Sequence, residues 1–183
     1  MTLDALFDLL RAAQRLCGHA EYVVVGSVSV LGMSEVTALP ADMTVSIDAD
    51  CYTRLDPGRV FDLQGALGEG SAYHRAHGIY LDPVSPKLPT LPEGWEARLI
   101  RLERDGVVAA FLDPNDAAIS KLARSEPRDL RWVRAGIQAD LVSLPVLKLR
   151  SRGTSYFDDE ERARVTQALQ NLANPSPAAK RRG

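Results

Sequence analysis

The chain has 183 residues, 45% of them hydrophobic and 25% charged, with a formal net charge of −2. That length can bury a real core, and the balance excludes both a disordered, highly charged chain and a membrane-embedded one, since no apolar run approaches the roughly 18 residues a bilayer-spanning helix needs. Cys17 and Cys51 are the only cysteines; they lack zinc-site spacing and read as buried apolar thiols, which points to a reducing, cytoplasmic setting.

Thr2 is placed to cap a first helix whose apolar residues Leu3, Leu6, Phe7, Leu10 and Ala13 follow helical spacing until Gly18. This start is amphipathic and unlike a signal peptide. Residues 22–25 form an apolar run ending in Gly26-Ser27, which reads as a buried strand turning into a helix near 28–33. After a loop containing Pro40, residues 44–50 alternate, with Val45, Ile47 and Ala49 on one face and Ser46, Asp48 and Asp50 on the other. Asp56-Pro57-Gly58 opens a turn or helix carrying Val60, Phe61, Leu63 and Leu67 up to Gly68, and residues 79–82 form a short strand before a proline-rich loop to Pro92. Residues 96–102 and 107–112 predict a hairpin around Arg104-Asp105-Gly106. Helices follow from Asp113-Pro114 through Leu122, from Pro127 with Leu130, Val133 and Ile137 buried, and from the acidic run at 158–161 to about Leu172. The tail over 174–183 is rich in Pro, Ala and basic residues and reads as disordered. The pattern predicts an α+β fold: a mixed sheet flanked by helices over 1–113, and a helical C-terminal subdomain over 114–173.

Two features carry chemistry. Strand periodicity sets Asp48 and Asp50 side by side on one face, roughly 6.5 Å apart along the backbone. Unpaired, they repel each other and resist burial, and a divalent cation relieves both costs. Oxygen ligands of this kind suit Mg²⁺ or Mn²⁺. Gly26 lets the backbone turn sharply and approach a ligand, and Ser27 opens a helix whose free N–H groups attract phosphate. A phosphate cradle facing an Asp-x-Asp strand is what metal-assisted transfer from a nucleoside triphosphate requires.

These two segments resemble the Gly-Ser and Asp-x-Asp signature of the nucleotidyltransferase superfamily, whose fold is that of polymerase beta. More narrowly, the chain is similar to a bacterial family of small nucleotidyltransferase-like proteins related to abortive-infection nucleotidyltransferase toxins. The similarity runs through Gly68-Glu69-Gly70-Ser71, Tyr73-His74, His77-Gly78-Ile79-Tyr80-Leu81-Asp82, Leu91-Pro92-Glu93-Gly94-Trp95, Leu112-Asp113-Pro114-Asn115-Asp116, Ser120-Lys121-Leu122 and Arg128-Asp129. The stretch between Gly26-Ser27 and Asp48 is longer than in the best-known members. The resemblance implies a third metal-binding carboxylate on a later strand, for which Asp82 is the choice and Glu69 the fallback. It implies that Lys121 contacts the triphosphate, the bland alternative being an ion pair with Asp129 or Asp116, while Asp129 orients Lys121 or an arginine. It also implies transfer of a nucleoside monophosphate to an acceptor hydroxyl, on the 3′ end of tRNA or a protein side chain. The setting it implies is the toxin of a toxin–antitoxin or phage-defence pair, with a cognate antitoxin as partner.

His74 is a candidate contact to base or phosphate, and His77 reads as structural; with no third ligand near, their spacing does not suit zinc. Residues 1–119 hold 9 Lys and Arg against 17 Asp and Glu, whereas residues 120–152 hold 8 against 3. An acidic half beside a basic one suits a cation in one place and a polyanion such as RNA in another. The rival reading is a nucleotidyltransferase fold without catalysis, acting as a binding or regulatory protein.

Overall fold

In the computed structural model, which describes residues 1–174, the chain divides into one unit of Met1–Pro89 with Trp95–Asp113 and a second of Thr90–Gly94 with the chain from Pro114 onward.

In the first unit, helix α1 (Leu3–Cys17) starts where Thr2 Oγ1 accepts from the Ala5 amide and ends at Gly18 in the left-handed region. Its buried stripe of Leu6, Phe7, Leu9, Leu10, Ala12 and Ala13 follows the helical period. The sheet has five strands: β1 (Glu21–Val24), β2 (Asp48–Thr53), β3 (Tyr80–Pro83), β4 (Ile100–Arg104) and β5 (Val107–Phe111). Their spatial order is β3-β2-β1-β5-β4. The central strand β1 pairs antiparallel with β2 and parallel with β5. Its residues Tyr22, Val23 and Val24 are buried on both faces, as expected of a strand covered above and below. Strands β4 and β5 form the expected hairpin, closed by Asp105 and Gly106 at φ 50° and 75°, the backbone of a type I′ turn. The α+β class with a mixed sheet flanked by helices therefore stands.

Three local expectations are corrected. The second strand begins at Asp48 and runs to Thr53, not over 44–50. A single helical turn, α2 (Ala41–Thr44), follows Pro40 and buries Met43. Val45 and Ile47 are 77% and 47% exposed, so the apolar alternation there does not face a core. The Met1 backbone nitrogen donates to Thr44 O at 2.7 Å and Ser46 O at 2.9 Å, taking acceptors a sheet neighbour would use. Pairing with β1 instead falls on Cys51, Tyr52 and Thr53, all buried. Second, the helix after Gly26 is a tighter 3-10 helix over Ser27–Gly32. Third, residues 95–98 form a 3-10 turn, so the hairpin's first strand starts only at Ile100. The helical stretch before Gly68 is likewise 3-10 over Pro57–Leu63, then α3 (Gln64–Leu67). It is followed by α4 (Ala72–His77), which leads into β3.

The second unit is helical: α5 (Pro114–Arg124), α6 (Pro127–Gln138), α7 (Leu144–Arg150) and α8 (Asp159–Ala173). Helix α7 was not expected, and only Ser143 and Pro145 mark its start in the sequence. Helix α5 touches the other three and buries Ala117, Ala118, Ile119, Leu122 and Ala123. Segment 90–94 is held here by Glu93 N donating to Gly153 O at 2.9 Å and Thr90 Oγ1 donating to Glu161 Oε1 at 2.7 Å. No described helix is long and apolar enough to cross a membrane, and both cysteines are free. From residue 175 on, the tail expected to be disordered lies outside the described residues.

Candidate functional site

The parallel register of β2 and β3 pairs Asp48 with Tyr80 and Asp50 with Asp82. Laterally paired residues share a sheet face, and so do residues two apart on one strand. Asp48, Asp50 and Asp82 therefore converge, with one oxygen of each within 4.8 Å of the others and all three half-buried. Among the described residues this is the one group of three such ligands. Glu69, the alternative third carboxylate, is exposed and outside it. The Ser46 hydroxyl donates to Asp48 Oδ1 and fixes that carboxylate. Burial pushes the Asp82 carboxyl above its ordinary value; the charges of Asp48 and Glu69 add to this, and a hydrogen bond with Asp50 opposes it. An all-oxygen, anionic set of this kind fits a hard divalent cation such as Mg²⁺ or Mn²⁺, whose charge would remove the mutual repulsion.

Gly26 serves this cluster directly. It follows β1, and the preceding Val25 amide bonds to Asp50 O at 2.9 Å. Its backbone sits at φ 67°, ψ −152°, a region open essentially to glycine alone. A Cβ here would lie 1.9 Å from Asp50 Oδ2 and 2.7 Å from its Cγ. The glycine thus makes room for the carboxylate, a role its sequence context does not disclose. Ser27 begins the 3-10 helix, and Ser29 Oγ donates back to Gly26 O at 2.9 Å, bracing the turn.

On the other flank of the carboxylates, Ser71 Oγ caps α4 by accepting from the His74 amide at 3.1 Å. His74 Nδ1 accepts from the Gly70 amide at 3.0 Å. The His74 ring lies 4.8 Å from that of Tyr80, tilted by 55°. His77 instead stacks on Tyr73 at 4.2 Å. Tyr80 was legible as a neighbour of Asp82 on the alternating face, but its place beside Asp48 needed the register.

Lys121 and Asp129 are both in the second unit and meet there. Lys121 is 4% exposed, with Nζ 3.3 Å from Asp129 Oδ1 and 5.0 Å from the centroid of the Trp132 ring. Arg124 holds both oxygens of the fully buried Asp129 at 2.7 Å. Burial pushes the Asp129 carboxyl up, but Arg124 and Lys121 outweigh it and hold it below the usual range. Arg150, one of the eight basic residues of the 120–152 stretch, pairs with buried Asp116 at 2.8 Å. Lys148 and Arg152 are exposed.

A family model described as "Nucleotidyltransferase of unknown function (DUF6036)" matches residues 4–174. The chain belongs to this nucleotidyltransferase family, whose match takes in the carboxylate cluster and all four helices of the second unit. No curated protein and no solved structure matches the chain.

Proposed function

We propose that the protein is a Mg²⁺- or Mn²⁺-dependent enzyme that moves a nucleoside monophosphate from a nucleoside triphosphate to an acceptor hydroxyl. The observation that carries this is the convergence of Asp48, Asp50 and Asp82 within 4.8 Å, in a chain of nucleotidyltransferase family. These three residues would hold the cation, which when bound neutralises charge on the phosphate oxygens. In the transfer, the acceptor oxygen bonds to the α-phosphorus, the bond to the departing pyrophosphate breaks, and the hydroxyl proton leaves. On the resemblance, Asp82 is also the proposed proton acceptor, as the carboxylate that β3 adds beside Asp50. Gly26 and Ser27 are the proposed phosphate contacts. Lys121 takes no part in this proposal: it is 4% exposed and its ammonium meets Asp129 at 3.3 Å within the second unit, the ion-pair alternative.

The acceptor we propose is the 3′ end of tRNA or a protein side chain, in a reducing cytoplasmic setting, with the protein acting as the toxin of a toxin–antitoxin or phage-defence pair. The test is incubation with each α-labelled triphosphate, Mg²⁺, and either total cellular RNA or total protein. Label should enter one macromolecular fraction with the wild type and not with Asp48→Asn. No incorporation by a wild type that binds Mn²⁺ would move the protein to the class of binding modules. Equal incorporation by Asp48→Asn would remove the carboxylates from the mechanism.

A further inference from the structure

Three strands lie side by side across the site, and each contributes a different kind of group to one face. The end of β1 supplies Gly26, whose missing side chain opens onto Asp50. Strand β2 supplies Asp48 and Asp50, and β3 supplies Asp82 and Tyr80 in register with them. Beyond β3 stands His74 on α4, its ring 4.8 Å from that of Tyr80. Strand spacing makes the distance from Gly26 to β3 about 10 Å. The glycine turn against Asp50, the carboxylates of β2 and β3, and a pair of rings of which Tyr80 lies across from Asp48 are therefore neighbours in the first unit.

The rings are not core residues. Both are half-exposed, and α4 buries none of its residues. His74 is held with more care than an exposed histidine needs: the Gly70 amide occupies Nδ1 and the Ser71 cap fixes its backbone. With Nδ1 accepting, the neutral imidazole carries its proton on Nε2, which is then a donor of defined position.

We propose that Tyr80 and His74 form the nucleobase wall of this site, with the base of the donor nucleoside triphosphate stacked on Tyr80 and a base acceptor atom met by His74 Nε2–H. The proposal rests on the reading of Asp48, Asp50 and Asp82 as the metal and triphosphate end. A nucleotide with its phosphates at Gly26-Ser27 and the carboxylates has the rings within reach of its nucleoside end, because Tyr80 is paired with Asp48. Stacking is tolerant of base identity because every base has a π-face, so selectivity among bases falls to His74.

The experiment compares binding of the four non-transferable α,β-methylene nucleoside triphosphates with that of inorganic tripolyphosphate, all in Mn²⁺, by calorimetry. The wild type should bind at least one nucleotide roughly 5- to 150-fold more tightly than tripolyphosphate, the range a single stacked base provides. Tyr80→Ala should erase that difference while leaving tripolyphosphate and Mn²⁺ binding intact, which also shows that the variant is folded. Tyr80→Phe should keep it, and His74→Ala should narrow the spread among the four bases. The wall is overturned by a wild type that prefers no nucleotide over tripolyphosphate. It is also overturned by Tyr80→Ala that binds nucleotide normally, or by Tyr80→Phe that loses as much as Tyr80→Ala. Asp50→Asn tests the underlying reading separately: it should weaken Mn²⁺ and tripolyphosphate together, and unchanged binding of both would overturn the metal site itself.

Discussion

Replacing Gly26 by alanine perturbs a single methyl group, and the structure makes two separate demands on it. The first is conformational: φ 67°, ψ −152° costs a residue with a Cβ about 1–3 kcal/mol. The small entropic gain of Gly→Ala in the unfolded chain does not offset that where φ is positive. The second is steric. The new Cβ would fall 1.9 Å from Asp50 Oδ2 and 3.1 Å from Asp50 Cβ. The carboxylate is the part able to yield, so it rotates out of the cluster and one of three metal ligands is lost. At roughly 2–4 °C per kcal/mol for a chain of this size, the strain alone lowers Tm by about 2–12 °C. Losing a group that merely orients a metal ligand already weakens metal binding by about 10- to 100-fold, so displacing a ligand should weaken Mn²⁺ binding at least about tenfold. Thermal melts in EDTA and Mn²⁺ calorimetry read the two effects separately. The Asp50→Ala background removes the two closest contacts, so Gly26→Ala should cost less there than in the wild type. A Gly26→Ala protein that melts with the wild type and binds Mn²⁺ equally well would refute the reasoning. Equal costs in both backgrounds would refute the steric half.

Asp82 has a folded-state pKa raised above its unfolded value of 3.8, so in metal-free protein it favours the fold only at acid pH, and that contribution is lost as pH rises through the folded value. Asp82→Asn should accordingly raise the melting temperature in EDTA at pH 7, with the gain vanishing near pH 3; a gain independent of pH would contradict this. Asp129 is the opposite case, its carboxyl held low by Arg124 and Lys121 against the effect of burial, so its contribution is present above pH 3.8 and lost as pH falls through the depressed value. Asp129→Asn takes from buried Lys121 the carboxylate at 3.3 Å and from Arg124 both of its bonds, and should cost about 3–5 kcal/mol in chemical denaturation at pH 7; a cost under 1 kcal/mol would show the pair to be dispensable. If RNA is the acceptor, Lys148→Ala with Arg152→Ala should flatten the log–log salt dependence of RNA binding by roughly 0.7–0.9 per lost phosphate contact. Arg150 is kept out of that variant because its partner is buried Asp116, and an unchanged slope would argue against RNA at this surface.

Much of the fold was legible because its signals are local. The stripe of Leu6, Phe7 and Leu10, the Asp105-Gly106 turn and Pro114 and Pro127 at helix starts each depend on neighbours a few residues away. The Asp-x-Asp pair was legible for the same reason, since a period of two needs only one strand. What alternation could not decide was which stretch of residues 44–53 enters the sheet. Val45 and Ile47 alternate as well as Ala49 and Cys51, and pairing with β1 selected the later stretch.

The amino-acid sequence by itself determined most of the elements, the acidic pair and the family. The tertiary structure alone decided that Asp50 faces Asp82 and Asp48 faces Tyr80. It alone decided that Gly26 is small to admit Asp50, and that Arg150 belongs to Asp116 rather than to the exposed basic surface. The reason is physical. Propensity and periodicity act within one segment, whereas register, steric room and charge pairing are set by segments far apart in the chain, where burial rewards one alignment and makes a shift of one residue turn every side chain to the opposite face.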